Sequence, residues 1–380
     1  MKRNIKIMFI IALLQGLVFY APISTLYRQA SGLNIFQISI IESICLALCL
    51  LLELPWGLVA DKIGYRKAFI ICCLLYVVSK FIFWQATDFF GFLLERIILS
   101  IVLSGISGVD NGILYLSDPD NNQKNFGIYS ALGTTGLVIA TLVYSLVIKT
   151  DYRLASLLTM IGYFLAFIAA LFLTEVKSEK SKLTFKGLLL LIKDLFTNKK
   201  LLYLVIATGI FTEVRQMIVV VISQVQYLNS GLSLSIIGIA YLIVTLGGLC
   251  SSFSEKVTNW LKPKKFIYLI YLSVFVSLVV LIFNPSGFIS VFLILILEIG
   301  FALFMPLSED LQNKEITISD RASALSVNFL MIDSLGVLIE VPMGYLTLNS
   351  LKPAYFFAII LMIGSFLFLK QYLQDKKVHN

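Results

Sequence analysis

Among the ionisable residues inside stretches that are otherwise apolar, eight are candidates for chemistry: Glu42, Glu53, Asp110, Glu213, Arg215, Glu298, Asp333 and Glu340. An ionised group at the centre of a membrane helix costs about 2.5–3.5 kcal/mol even on insertion scales, so such groups face protein or water and mark relays, pathways or ion pairs. Glu213, Arg215, Glu298 and Asp333 fall near the middle of their apolar runs, Glu53 and Asp110 toward one side, and Glu42 and Glu340 toward the other. Glu213 and Arg215 are two residues apart and point to nearly opposite sides of a helix, so they are not expected to pair with each other. One of them can reach across to Glu298 or Asp333. A carboxylate whose proton affinity responds to desolvation and to the approach of a cation or water can couple proton movement to a conformational change. The competing reading for each acid is a structural ion pair. Glu213 and Glu298 are the leading proton carriers on this pattern.

The elements that hold these groups are membrane helices. Of the 380 residues 59% are hydrophobic and 14% charged, and the mean hydropathy is +0.93. A soluble domain carries about 25% charged residues. Apolar runs of roughly 20 residues, the length that crosses a ~30 Å hydrocarbon core as helix, recur along the chain. The bilayer offers no partner to backbone groups, so these runs are helical, and the alternating short segments of a barrel do not occur. The expected spans are about 5–27, 36–60, 67–86, 91–116, 126–148, 153–174, 201–227, 234–254, 265–283, 287–307, 322–347 and 353–373. The expected fold is therefore all-α, with about twelve transmembrane helices in two six-helix bundles. Residues 1–174 form the first bundle, 175–200 a basic linker, and 201–380 the second bundle with a short tail. In the linker, Phe185 to Lys193 has the pattern of a short helix lying on the membrane surface. Lys2 and Arg3 precede a first apolar stretch that reads as a membrane helix and not as a cleaved signal.

The formal net charge is +8. The cations sit between apolar runs, which argues for membrane topology and against nucleic acid. With alternate loops placed on opposite sides, 23 of the 30 Lys and Arg fall on the side of the termini and linker. Only Arg28, Lys149, Arg153 and Lys352 fall on the other, while Lys80, Arg96 and Arg215 lie within spans. That asymmetry puts both termini and the linker in the cytoplasm of a multi-pass plasma-membrane protein. Cys45, Cys49, Cys72, Cys73 and Cys250 all lie in apolar runs and His379 is the only histidine, so no metal site is expected. The cysteines read as small buried hydrophobes.

Between the second and third spans runs Gly57-Leu58-Val59-Ala60-Asp61-Lys62-Ile63-Gly64-Tyr65-Arg66-Lys67. Gly57 allows a neighbouring helix to approach. Asp61 can face a helix N-terminus, Gly64 permits a tight turn, and Arg66 and Lys67 hold the loop on the cytoplasmic side. The order of these residues resembles the signature loop of the major facilitator superfamily. The start of the eleventh span, Arg321-Ala322-x-x-Leu325-Ser326, also looks like that family's, and a weak echo joins Glu53-Leu54-Pro55-Trp56-Gly57 to Glu340-Val341-Pro342-Met343-Gly344. The resemblance implies that Asp61 engages the region around Ser319-Asp320-Arg321 and stabilises an outward-facing state. It implies that spans one, four, seven and ten line a central cavity, with Gln15, Asp110, Glu213, Arg215 and Glu298 as its polar candidates and Asp333 at an interface between the halves.

Two departures bear on function. Arg96 is placed as the family's fourth-span arginine, but Leu99-Ser100 stands where a Gln-Gly pair is usual, and Glu95 beside it can pair with Lys80. The fifth span reads Gly133-Thr134-Thr135-Gly136 with no proline, unlike many drug:proton antiporters. Ser100, Ser104, Gly108 and Gly112 recur every fourth residue and read as a helix-contact stripe before a substrate groove.

The expected function is secondary active transport of a small molecule by alternating access, as proton-linked efflux of amphipathic or drug-like compounds. The bacterial drug-efflux branch of the family fits best, and the Ile-, Lys- and Asn-rich composition resembles a bacterial chain. The alternative is an uptake symporter or facilitator, which would want more in-span polar residues than Gln15, Gln216, Gln224 and Asn328. A membrane enzyme would need a catalytic cluster at a membrane edge, and Asp118-Pro119-Asp120 in a short loop reads instead as a solvated acidic pair. A non-transporting sensor or scaffold is the remaining class. No G-x-x-x-x-G-K-[ST] run occurs, so neither ATP binding nor a cofactor is expected. The partners are the small-molecule substrate, protons and the lipid bilayer, with no nucleic acid, and the expected state is a monomer.

Overall fold

The computed structural model describes residues 2–106, 109–118, 121–176, 197–315 and 321–375. Nearly all of them are helical and none is in a strand. The main helices are α1 (Arg3–Ala30), α2 (Ile35–Ile63), α3 (Tyr65–Gln85), α4 (Phe89–Ser117), α5 (Lys124–Ile148), α6 (Tyr152–Leu171), α7 (Lys199–Asn229), α8 (Leu234–Leu261), α9 (Pro263–Leu281), α10 (Gly287–Glu315), α11 (Arg321–Leu346) and α12 (Lys352–Asp375). Eleven segments among the described residues are long and apolar enough to cross a membrane, and α11 stands in order between the last two of them. Most of the linker, including Lys177, Lys180, Lys182, Lys186 and Lys193, lies outside the described residues, as do Gly108, Pro119, Asp120, Ser319, Asp320 and His379.

Contacts divide the chain into two units. The first comprises Met1–Leu33, Ile44–Lys182 and Leu234–Leu242, and the second Asn34–Ser43, Leu183–Ser233 and Ile243–Asn380. Thus the opening turns of α2 belong with the second unit and those of α8 with the first. In the second unit Ser43 donates to Glu340 of α11 at 3.3 Å, and the Phe36 and Tyr345 rings meet edge-on at 5.5 Å. In the first, Gly238 of α8 leaves room for Ser145 and Tyr144 of α5.

The helices depart from regularity where the sequence forces them to. In α1 the helix Lys2–Gly16 stops before a short 3₁₀ turn, Ala21–Ile23, that carries Pro22. Proline has no N–H and obstructs the preceding turn. The freed N–H of Phe19 is taken by Thr159 Oγ1 of α6 at 2.9 Å, the kind of replacement partner that a helix break inside a membrane requires. This break is not visible from hydropathy alone. Arg28, expected in an outer loop, lies in the helical turn after it, buried between the Phe83 and Phe92 rings at 5.7 and 5.9 Å.

In the first unit α1, α3, α4 and α6 meet around Met8, Ile11, Phe69, Cys73, Leu114, Ala166 and Ala170. Cys72 and Cys73 are buried free thiols, as their surroundings predict. Glycines let α1 and α5 touch backbone to backbone: a Cβ on Gly16 would meet the Gly133 carbonyl, and one on Gly136 the Leu13 carbonyl. The Gly133–Gly136 segment is therefore a packing device. Gly136→Leu should destabilise the protein by about 1–3 kcal/mol through overpacking, read as earlier thermal unfolding of the purified protein. Gly127→Ala, with nothing within 4 Å of the added carbon, should not.

Candidate functional site

The mid-span charges of the second unit separate into two arrangements on opposite faces of α7. On one face Arg215 Nε donates to Glu298 Oε2 at 2.7 Å and Nη2 donates to Oε1 at 3.0 Å, a bidentate pair between α7 and α10. Fork-on-carboxylate geometry is the strong form of an ion pair. The Phe301 ring lies 5.2 Å from the Arg215 guanidinium carbon and adds a cation–π contact. Gly247 and Gly248 of α8 leave space for the acid: a Cβ on Gly248 would stand 3.4 Å from Glu298 Oε1. The Glu298 side chain is 6% exposed and that of Arg215 27%, so the pair is open to its surroundings from the arginine side.

On the other face sits Glu213, 4% exposed. Its Oε2 has no hydrogen-bond partner among the described residues. Its charged neighbour is Asp333 of α11, another acid. The two helices come close because Gly209, one turn before Glu213, faces Ile332 and Leu335; a Cβ there would lie 3.3 Å from the Ile332 Cα. Asp333 itself is exposed. Directly after Arg215 the backbone widens into a π-helical stretch, Gln216–Ile222. Such a stretch inserts an extra residue per turn, rotates the faces that follow it, and is enriched at functional sites. As the two-residue spacing predicts, Glu213 and Arg215 do not pair with each other: Arg215 is paired with Glu298, and Glu213 faces Asp333.

In the first unit the candidates are held by their own neighbours. Asp110 accepts from the Asn111 N–H at 2.6 Å and is hydrogen-bonded by Tyr129. The Gln15 amide approaches Cys73 Sγ at 3.8 Å. Glu95, 1% exposed, accepts from Lys80 Nζ at 3.2 Å and from Ser79 at 3.0 Å, with Arg96 Nε 3.6 Å from its second oxygen. The Lys80 ammonium also lies over the Tyr20 and Tyr163 rings at 5.6 and 5.8 Å. Arg96 thus belongs to a buried charge cluster together with Lys80. Ser100 and Ser104 of the α4 stripe contact α2, with Ser104 donating to the Cys49 carbonyl at 3.2 Å, while Gly112 faces Tyr65 of α3.

The signature loop is a one-residue joint. Gly64 has φ 90° and ψ 151°, a region that essentially only glycine occupies. It separates α2 from α3. Arg66 turns back from it and donates to the Leu173 and Leu171 carbonyls at 2.6 and 3.1 Å, where α6 ends. Its own N–H donates to Glu175 at 3.2 Å. The arginine therefore satisfies orphan carbonyls at a helix C-terminus, beyond the topological role that sequence suggested. Lys67 is exposed, and Gly57 and Asp61 lie in the helical backbone of α2. The Asp61 side chain lies outside the described residues, as does its expected partner segment Ser319–Asp320. Gly64→Ala should cost about 1–3 kcal/mol, checked by thermal unfolding. The Glu175 carboxylate that an added Cβ would meet is the end of a flexible side chain and can move aside, so the loss reads the backbone conformation.

Two buried polar clusters of the second unit escaped the sequence reading. Gln226 donates to Asn284 at 2.9 Å and to Ser290 at 3.1 Å, and accepts from Tyr355 at 3.0 Å. Gln312 donates to Thr208 at 3.1 Å and accepts from Asn328 at 3.2 Å, joining α7, α10 and α11. The available signal was an amide inside an apolar run, which costs free energy unless it is paired.

Comparison with known proteins agrees with this architecture. The family model described as Major Facilitator Superfamily matches residues 7–340. The quinolone resistance protein NorA of Staphylococcus aureus strain MSSA476 is 26% identical over 314 residues, covering 78% of this chain and 77% of the relative. The strain COL protein of that name is 24% identical over 313 residues. Among solved structures, the nucleoside transporter NupG has a TM-score of 0.76 at 18% identity, with 98% of each chain covered. A D-xylose-proton symporter has a TM-score of 0.77 at 12% identity, with 96% of each chain covered. Twelve-helix order, the one-glycine loop joint and a match over most of the chain lead to one family. The chain is a multi-pass membrane protein that belongs to the Major Facilitator Superfamily.

Proposed function

We propose that this protein exports small amphipathic, preferentially cationic compounds in exchange for protons, with both termini in the cytoplasm and the protein in a bacterial plasma membrane. The observation that carries the reading is the division of labour around α7. Among the described residues Glu213 is a buried acid with an unsatisfied oxygen and an acidic neighbour. Such a group is suited to hold and release a proton. Glu298 is already ionically paired, and its arginine is accessible. A cationic substrate group can exchange for Arg215 on this carboxylate, which gives the substrate a specific anchor among apolar and aromatic walls. Support for export comes from relatives named for quinolone resistance. Support for proton coupling comes from the acids themselves, and one fold neighbour is named as a proton symporter. The cytoplasmic placement rests on the excess of Lys and Arg on the side of the termini.

The test is a proteoliposome carrying a pH-sensitive dye, given a pH gradient and a panel of cationic, neutral and anionic compounds. The expected result is proton flux evoked by cationic amphipathic compounds. Movement of labelled compound down its own gradient with no proton flux would replace the exchanger by a facilitator. Proton and compound moving in the same direction would replace export by symport.

A further inference from the structure

The first unit carries a groove on its outer surface that the transport reading does not use. It runs between α1 and α6, encloses about 790 Å3, and is lined by Ile7, Ile10, Leu14, Leu165, Ile168 and Phe172, with Arg3 and Lys6 at one end. Ile10, Leu165, Ile168 and Phe172 are exposed, so the walls lie on the surface of the unit and not in its core. Both cations are exposed and stand three residues apart on one face of the helix.

The groove is built, because contacts fix both of its ends. At the charged end Asn4 is buried and clasps Thr174: its amide donates to the Thr174 carbonyl at 3.0 Å, and its carbonyl accepts from the Thr174 N–H at 3.0 Å. The same amide reaches Ser117 at 3.3 Å. At the inner end Gly162 brings α6 against α1, where an added Cβ would lie 3.2 Å from the Leu14 carbonyl. Between these two pins the helices leave the apolar channel open. Its length also fits. From Arg3 to Leu14 the helix rises roughly 16 Å at 1.5 Å per residue, about half of a ~30 Å hydrocarbon core, which is one leaflet.

We propose that this groove is a binding site for an anionic phospholipid, with an acyl chain between α1 and α6 and the phosphate held by Arg3 and Lys6. Ordinary annular contact requires neither a concave wall nor a cationic rim, and the two occur together here. The charge selects anionic over zwitterionic headgroups, and the same charge opposes occupancy by a cationic substrate. The inference needs α1 and α6 to lie in a membrane and is independent of what is transported.

Native mass spectrometry of the detergent-purified full chain, titrated separately with phosphatidylglycerol and phosphatidylcholine, tests this. Phosphatidylglycerol should be retained in preference to phosphatidylcholine. Affinity should fall about fivefold for each cation removed, or roughly 25-fold in Arg3→Gln/Lys6→Gln. Ile168→Trp, which fills the groove and leaves the cations in place, should also abolish the retained lipid, and a photoreactive phosphatidylglycerol should label residues 165–172. Equal retention of the two lipids, unchanged retention in both variants, or displacement by inorganic phosphate at matching concentration would overturn the site.

Discussion

Glu213→Gln should abolish proton-driven transport while leaving substrate exchange between equal pH compartments near the wild-type rate. Glutamine has the shape of a protonated glutamic acid and cannot lose a proton. If Glu213 carries the coupled proton, the variant is fixed in one state of that cycle. Substrate still crosses by exchange, because exchange does not require the proton to leave. Without a coupled proton the pH gradient supplies no driving force, so accumulation driven by that gradient should fall to the level that the substrate's own gradient sustains. The geometry makes the prediction sharp, since Glu213 has no described hydrogen-bond partner at Oε2 whose loss would unfold the protein. Asp333→Asn should have the same sign of effect and a smaller size, because Asp333 is exposed and acts on Glu213 through charge. Flux measured with a pH-sensitive dye on one side and labelled substrate on the other separates coupling from translocation. Loss of exchange together with coupling would mean that Glu213 serves the structure and not the proton.

The Arg215–Glu298 pair should behave in the opposite manner, with stability the first casualty. Breaking a buried ion pair at one partner leaves an uncompensated charge and typically costs 3–5 kcal/mol. Arg215 retains some solvent access, so Glu298→Ala should fall at the lower end, about 3 kcal/mol. Replacing both partners with apolar residues, Arg215→Met/Glu298→Leu, removes the desolvation penalty along with the attraction, and such replacements are often neutral or stabilising. Thermal unfolding should therefore recover in the double variant. Transport of cationic compounds should not, because the carboxylate that receives them is gone. A double variant that is stable and still transports cations would reduce the pair to a strut between α7 and α10.

The architecture was largely legible in the sequence because membrane spans are read from length and composition, and both quantities are local. What was not legible depends on neighbours in space. Pro22 was visible, but the break it causes in α1 and the Thr159 hydroxyl that repairs it were not. Arg28 looked like a loop cation because it follows an apolar run, yet aromatic rings bury it. The spacing of Glu213 and Arg215 showed that they diverge; only the approach of α10 and α11 gives one a cation–acid pair and the other an acid. Arg66 read as a topological charge, and its bonds to the end of α6 require knowing where residue 173 lies. The polar cluster at Gln226 draws on three segments distant in sequence, around residues 226, 284–290 and 355, so no window of the chain contains it.

The central claim is that the proton held by Glu213 is linked to substrate binding at Glu298, on the other face of α7. Calorimetric titration of substrate into the purified protein, repeated in buffers of different ionisation enthalpy, counts the protons released on binding. Linkage between proton and substrate predicts release on the order of one proton per substrate for the wild type over the range in which Glu213 is protonated, and essentially none for Glu213→Gln. An unchanged proton count in that variant would contradict the account directly.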